Sequence, residues 1–272
     1  MTTLHEFILA HAQGNTVTLH IQSEAALKFG LSISRVEEVI LELDLLPSRY
    51  ERNRETFTVG EQRILFRSNV AVVGCGGLGG YVIEEMARLG IGHIMVIDPD
   101  AFEEHNLNRQ IMSTVSLLGK PKVQAACERV REINPATSVT MRMDFLTHEN
   151  GQYLLRDADV VIDALDTIPA RLHLADVCNA MRIHIVHGSI AGWYGQIAVQ
   201  LPGEDTIKKI FSHVEAEQGV EQHLGTPSFT TAVVGSLQAA EACKILLNRN
   251  SVLRGKMLSV NLLDMDFTLI PL

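Results

Sequence analysis

The chain has only four cysteines among 272 residues, and no two of them form a C-x-x-C pair. Cys75, Cys127, Cys178 and Cys243 are scattered, which argues against a zinc knuckle and against a disulfide framework. Basic residues are also few. Lysine and arginine total 23 against 32 aspartate and glutamate, a net charge of −9. That balance argues against a nucleic-acid or anionic membrane surface as the main partner. No run of 18 apolar residues suits a membrane span, and the N-terminus has no basic, apolar, small-residue leader pattern, so a cytoplasmic protein is expected. There is no internal repeat and no low-complexity tract. The composition, 46% hydrophobic and 20% charged, is that of a soluble globular chain with one medium domain, or one domain plus a small appendage.

The most informative stretch is Asn69-Val70-Ala71-Val72-Val73-Gly74-Cys75-Gly76-Gly77-Leu78-Gly79-Gly80. A β-branched run, a glycine turn, helical apolar spacing at Val82, Ile83, Met86 and Leu89, and a second apolar run closing on Asp98 make a mononucleotide-binding βαβ unit. Gly74 permits the tight turn, Gly76 lets backbone approach a phosphate or ribose, and Gly79 lets the helix pack close to the strand. The helix N-terminus favours negative charge, and Asp98 can accept from ribose hydroxyls.

The same rhythm continues with a helix at Lys122–Ile133, a strand at Ser138–Met143 and a helix at Glu149–Leu155. Strand Asp159–Ala164, helix Pro169–Met181 and strand Ile183–Val186 follow. This predicts an α/β fold, a Rossmann-like, mostly parallel sheet with helices on both faces. Gly188–Leu201 reads as antiparallel strands continuing the sheet, Gly203–Leu224 as a polar segment, and Thr231–Leu247 as an apolar helix. Lys256–Leu262 and Phe267–Ile270 read as a closing hairpin.

Residues 1–48 read as a separate small helical appendage and 49–272 as the nucleotide-binding domain. The appendage has a helix at Leu4–His11, a strand at Thr16–Ile21, and a helix-turn-helix spacing through Ser23–Phe29, Gly30-Leu31-Ser32 and Ile33–Leu45. A DNA-reading role is disfavoured because Glu37, Glu38, Glu42 and Asp44 on the second helix would be repelled by phosphates. Docking or dimer packing is the better expectation. A helix at Val59–Phe66 precedes the first strand of the sheet.

Past Asp98 come Asn106-Leu107-Asn108-Arg109-Gln110, then Gly119-Lys120-Pro121-Lys122 opening a helix, and Asp163-Ala164-Leu165-Asp166-Thr167 at a strand's carboxyl end. Ligands of open α/β sheets bind at those carboxyl ends. Arg109, Lys122 and Asp166 are therefore expected to converge. Two cations and a carboxylate suit a triphosphate with Mg²⁺, whereas hydride transfer does not need that set.

At these residues the chain resembles the ThiF/MoeB/HesA superfamily, prokaryotic relatives of ubiquitin-activating enzymes. The resemblance runs from about Arg49 to Leu263 through RYERN, GCGGLGG, VIDPD, NLNRQ, GKPKV, VIDALD and GSLQAAEACKIL. It implies an ATP-binding adenylation domain that transfers AMP to the C-terminal glycine of a ubiquitin-like sulfur-carrier protein ending in Gly-Gly. On that reading Gly74, Gly76, Gly77 and Gly79 line the nucleotide loop and Asp98 takes the ribose. Asn106, Arg109, Gln110 and Lys122 contact the nucleotide, and Asp166 holds the metal. Arg52, in the RYERN segment, reaches the partner subunit's site in a homodimer.

The chain departs from the superfamily pattern in several places. Pro202–Lys209 and Asp264–Leu272 lack the paired cysteines with which many relatives hold zinc, so no zinc is expected. The segment 203–224 has no cysteine for a thioester. Thr167 and Asn53 replace a usual asparagine and glutamine. Two other readings compete with carrier activation: an ATP-dependent dehydratase acting on threonylcarbamoyladenosine in tRNA, and a non-enzymatic nucleotide-sensing scaffold. The acidic charge weighs against tRNA, and the joint presence of Arg109, Lys122 and Asp166 weighs against a scaffold.

Overall fold

The computed structural model of the protein describes residues 2–212, 221–251 and 253–272. Its centre is an eight-stranded sheet. In chain order its strands are β3 (Asn69–Val73), β4 (His93–Ile97), β5 (Ser138–Arg142), β6 (Val160–Asp163), β7 (His184–Ala191), β8 (Tyr194–Gln200), β9 (Lys256–Asn261) and β10 (Asp266–Pro271). Their spatial order is β10-β9-β8-β7-β6-β3-β4-β5. Pairs from β5 through β7 are parallel, and those from β7 to β10 are antiparallel. The strand order reverses between β3 and β6, which places a switch point, and hence a crevice, at their carboxyl ends.

Alternation along β3 supplies both faces. Val70 and Val72 join α5 (Gly77–Leu89), α6 (Lys122–Ile133) and α11 (Ser228–Leu246) in one core. Ala71 and Val73 face the second core, built with α7 (His148–Leu155), α8 (Ile168–Met181) and α9 (Thr206–Phe211). A five-residue strand with every position after the first buried is what a parallel sheet covered on both faces demands. The expected doubly covered α/β sheet with an antiparallel extension is therefore present.

Three local expectations change. The strand expected at Thr16–Ile21 is only two residues long, β1 (Thr16–Val17), pairing in parallel with β2 (Leu46–Pro47). Thr18 ends it because its hydroxyl accepts from the Ile21 N–H and caps α2 (Leu19–Phe29). The helix expected to run to Leu45 is α3 (Ile33–Glu42), stopped before Asp44, which lies at φ 58°. The strand expected to end at Val186 continues to Ala191, so β7 is parallel to β6 at one end and antiparallel to β8 along most of its length. Gly188 sits mid-strand because a Cβ there would lie 2.4 Å from the Gln238 side chain. The polar segment 203–224 carries α9 and a short α10 (Glu221–Leu224), and its residues 213–220 lie outside the described set.

The N-terminal residues have their own small core of Phe7, Ile8, Val17, Ala25, Val36, Ile40 and Leu45, drawn from α1 (Leu4–His11), α2 and α3. The acids of α3 that looked like a DNA-repelling face point at protein cations. Arg67, just after α4 (Val59–Phe66), pairs with Glu38 and Glu42. Glu37 is fully buried. It meets Arg49 in an ion pair and accepts from the Tyr50 hydroxyl at 2.8 Å. Tyr50, itself fully buried, in turn accepts from Asn134 Nδ2 at 2.7 Å, and Arg49 Nη2 donates to Gln22 at 2.8 Å. Burial raises the Glu37 carboxyl above its ordinary range and Arg49 opposes the shift. The segment Arg49-Tyr50 is thus a polar pin between the N-terminal core and the sheet domain.

All four cysteines are buried and free. Burial pushes the Cys75 thiol well up, with the Asp98 carboxylate adding to it, so this residue of the glycine turn is a core thiol and no thiolate.

Two stability predictions follow from this packing. Glu37→Ala leaves Arg49 and the Tyr50 hydroxyl without their buried acceptor and should cost about 3–5 kcal/mol in urea unfolding. A Cβ at Gly79 would lie 1.8 Å from the Gly74 carbonyl oxygen, whereas Gly60 in α4 has nothing nearer than 3.9 Å. Gly79→Ala should therefore lower the melting temperature sharply and abolish nucleotide binding, while Gly60→Ala leaves both intact.

Candidate active site

The crevice at the β3/β6 switch point is a cavity of about 360 Å³. Its floor is the turn from β3 into α5. Gly74 has φ +95°, and a Cβ there would sit 2.5 Å from the Ala164 carbonyl oxygen, so the β3 and β6 ends are drawn together through glycine. Asp98, at the end of β4, staples this turn: Oδ2 accepts the Cys75 N–H at 2.6 Å and Oδ1 the Asp100 N–H at 2.8 Å. Each oxygen keeps a second lone pair for a ligand hydroxyl. Burial raises the Asp98 carboxyl above its ordinary range, against the pull of Lys122 and the two N–H donors.

The excursion from Asp98 to Lys122 forms one wall. It is closed by paired backbone bonds, Phe102 N–H to Lys120 O at 3.0 Å and Gly119 N–H to Phe102 O at 2.8 Å. Inside it, Asn106 is buried and its Oδ1 accepts the Glu103 N–H at 2.9 Å, closing the turn that presents Arg109 and Gln110. Arg109 Nη1 donates to the His105 carbonyl at 3.1 Å and to Asn108 Oδ1 at 2.9 Å. Burial pulls its guanidinium below the ordinary range, and the field of Asp166 across the cleft opposes this. Gln110 is buried with its Oε1 unpartnered. Lys122, at the first position of α6, is buried and reaches back to Asp100 Oδ2 at 2.8 Å and Asp98 Oδ1 at 4.0 Å.

Gly74, Gly76, Gly77, Asp98, Asn106, Arg109, Gln110, Lys122 and Asp166 all line this one cavity. Two expected residues do not. Gly79 lies beneath it, packed on Gly74 and Val72. Arg52 is an exposed side chain on the 3₁₀ turn Ser48–Asn53, outside the cavity of its own chain. Asp166 is exposed on the turn between β6 and α8, and the helix after it is entered through Thr167 without a side-chain cap.

Sequence reasoning missed Asp100, Asp144, Arg171 and Thr226 in the lining. Asp100 stands in the VIDPD run beside Asp98 and was within reach of pattern analysis. Arg171 carried no local signal. His184 and His187 are β7 residues. His187 is fully buried, its Nδ1 2.7 Å from Asp163 Oδ2, and burial lowers its basicity. No cluster of three or more histidine, cysteine, aspartate or glutamate side chains suited to a metal occurs among the described residues. Asp98, Asp100, Asp144 and Asp166 all face this cavity, and one or two carboxylates suffice for Mg²⁺ because nucleotide oxygens and waters complete its octahedron.

A sequence profile of the ThiF family matches residues 50–272. The SAMP-activating enzyme E1 of Haloferax volcanii is 34% identical over 227 residues, covering 82% of this chain and 84% of that protein. The sulfur carrier protein adenylyltransferase of Thermus thermophilus is 35% identical over 229 residues, covering 80% and 84%. Among solved structures, Escherichia coli MccB with ATP shares the fold at TM-score 0.68 and 19% identity, over 92% of this chain and 82% of that one. Escherichia coli tRNA N6-threonylcarbamoyladenosine dehydratase with ATP gives 0.62 and 27%, over 74% and 94%. With a glycine-lined cleft at the switch point and a profile match that starts at the pinned Tyr50 and runs to the last strand, the chain belongs to the ThiF family.

Proposed function

We propose that this chain is an ATP-dependent adenylyltransferase that activates the C-terminal glycine carboxylate of a ubiquitin-like sulfur-carrier protein ending in Gly-Gly. The observation that carries the proposal is the meeting of Arg109, Lys122 and Asp166 around one glycine-floored cavity. The identity to carrier-activating enzymes over four fifths of the chain supports the choice of substrate.

In this reading the ATP ribose lies on Asp98 and its phosphates lie over the α5 N-terminus, where Gly76 and Gly77 expose backbone without side chains. A carrier carboxylate oxygen attacks the α-phosphorus, the bond to the β-phosphate breaks, and pyrophosphate leaves with the electron pair. Two anions must approach each other, and Arg109 and Lys122 relieve that repulsion and the charge growing on the leaving group. Lys122 is free to do so because its Asp100 partner is a mostly exposed carboxylate, a weak hold by comparison with a triphosphate. Asp166 would hold Mg²⁺, which supplies further neutralisation of the phosphates when bound. The buried thiols take no part, since transfer of AMP needs no protein nucleophile.

The proposal extends to assembly. Arg52 completes the site of a second subunit in a symmetric homodimer, acting in trans because it is exposed outside its own cavity. Exposed Leu107, Ile111 and Val115, on the wall that carries Arg109, support apolar contact with a second copy. Residues 1–48 are an appended docking or packing unit, zinc is absent, and the enzyme works in the cytoplasm.

Purified protein with ATP, Mg²⁺ and the matching carrier should exchange labelled pyrophosphate into ATP, and Lys122→Ala or Asp166→Ala should each reduce exchange by about 10²-fold. Wild-type exchange in both variants would overturn the site assignment, and exchange that requires tRNA in place of a carrier would overturn the substrate. Mixing inactive Arg52→Ala chains with inactive Asp166→Ala chains should restore part of the activity, because one of the two sites in the mixed dimer is intact. No recovery under demonstrated subunit exchange would place Arg52 in cis or outside the reaction. Elemental analysis should find no stoichiometric zinc, and chelators should leave the melting temperature unchanged.

A further inference from the structure

We infer that Asp163 and Arg171 are positioning residues that grip the Leu165 backbone from both sides and so aim the Asp166 carboxylate into the cavity. The inference rests on the reading of Asp166 as the metal-holding carboxylate.

The turn after β6 is held residue by residue. Asp163 is fully buried. Its Oδ2 meets His187 Nδ1 at 2.7 Å, its Oδ1 accepts the Leu165 N–H at 3.1 Å, and its own carbonyl accepts from Gln238 Nε2 at 2.8 Å. The Ala164 carbonyl rests on Gly74, in space that any Cβ would fill. The Leu165 carbonyl then accepts two bonds from one guanidinium, Arg171 Nη2 at 2.6 Å and Nε at 3.2 Å. Both peptide groups of Leu165 are therefore fixed, and the next α-carbon is that of Asp166. The exposed carboxylate projects from backbone that has almost no freedom.

Arg171 is an unlikely residue for its position on grounds of helix stability alone. It lies in the first turn of α8, where the helix dipole disfavours a cation. It is also 6% exposed, and burying a guanidinium costs free energy unless its donors are used. Two donors go to the Leu165 carbonyl, and its Cζ lies over the Phe211 ring, 5.6 Å from the centroid. Phe211 also meets the His187 ring edge-on at 5.4 Å, so one aromatic side chain packs against both halves of the grip. Arg171 also lines the cavity, but the Nε and Nη2 edge of its guanidinium faces the Leu165 carbonyl. It spends a bidentate pair on the turn.

The test measures ATP affinity by calorimetry in EDTA and in excess Mg²⁺, on the full chain, and takes the ratio of the two dissociation constants as metal coupling. Asp166→Asn should remove most of that coupling. Arg171→Lys keeps the cation but not the fork, and should lower the coupling by about tenfold, the scale on which loss of an outer-layer partner weakens metal binding, with affinity in EDTA within about twofold of wild type. Asp163→Asn keeps an acceptor for the Leu165 N–H and should retain more coupling than Asp163→Ala. Wild-type coupling in Arg171→Lys, with coupling lost in Asp166→Asn, overturns the inference and leaves the proposed function standing. Coupling retained in Asp166→Asn overturns the reading beneath it. Equal weakening in EDTA and in Mg²⁺ makes Arg171 a phosphate ligand and also overturns the inference. If the arginine variants fail to fold, Phe211→Leu loosens the same grip from behind and should show a partial loss of coupling; unchanged coupling there counts against the inference.

Discussion

The approach of α5 to the end of β3 is the constraint on which the site depends. A helix whose third residue sits directly on the Gly74 carbonyl oxygen needs glycine there, and the turn before it needs a positive φ at Gly74. Once that turn closes, the remaining contacts are determined. The Cys75 N–H points at Asp98, the Gly74 α-carbon lies against the Ala164 carbonyl, and the crevice opens between β3 and β6. Glycine is required at these two points by distances, and the nucleotide floor is a consequence of helix packing as much as of ligand recognition.

The cavity is built so that its charged groups are stored in mild arrangements. Lys122 rests on an exposed carboxylate, Arg109 on a carbonyl and an amide oxygen, and Asp166 stands in solvent. None of these contacts is strong in the way a buried, desolvated ion pair is strong. The buried pairs are Asp163 with His187, where Asp163 also holds the Leu165 N–H, and Glu37 with Arg49, which joins the N-terminal core to the sheet domain. These two pairs are sealed away from water, where breaking them costs most.

Much of this was legible in the chain because it is local. The βαβ unit announces itself through continuous apolar runs, a glycine turn and period-3.6 helical spacing, and helix α6 begins and ends where Pro121 and Asn134-Pro135 say it must. The convergence of Arg109, Lys122 and Asp166 followed from the rule that ligands sit at carboxyl ends of parallel strands. The misreadings have tertiary causes. Thr18 looks like a strand residue until its hydroxyl is seen to cap a helix. Gly188 looks like a break until Gln238, fifty residues later, is found occupying its side-chain space. Arg171 carries no local signal, and only the folded turn reveals that two of its donors belong to Leu165. The register of Glu37 with Tyr50 spans thirteen residues and two elements, beyond any local pattern.

That last contact bears on how such a chain can be recombined. Arg49 and Tyr50 belong to the RYERN run that leads into the sheet domain, but the acceptor they share belongs to α3. A cut placed at residue 48 divides the chain at a natural-looking seam while stranding a guanidinium and a phenol without their carboxylate. Exchange of the N-terminal unit for another is therefore tolerated only when the incoming segment brings an acid, or an equivalent acceptor, to the same point. The seam is a socket whose buried contact is the acid of α3, flanked by Arg67 with Glu38 and Glu42 and by Leu41 and Leu46 against Phe66, and a graft designed on sequence boundaries alone would leave that socket empty.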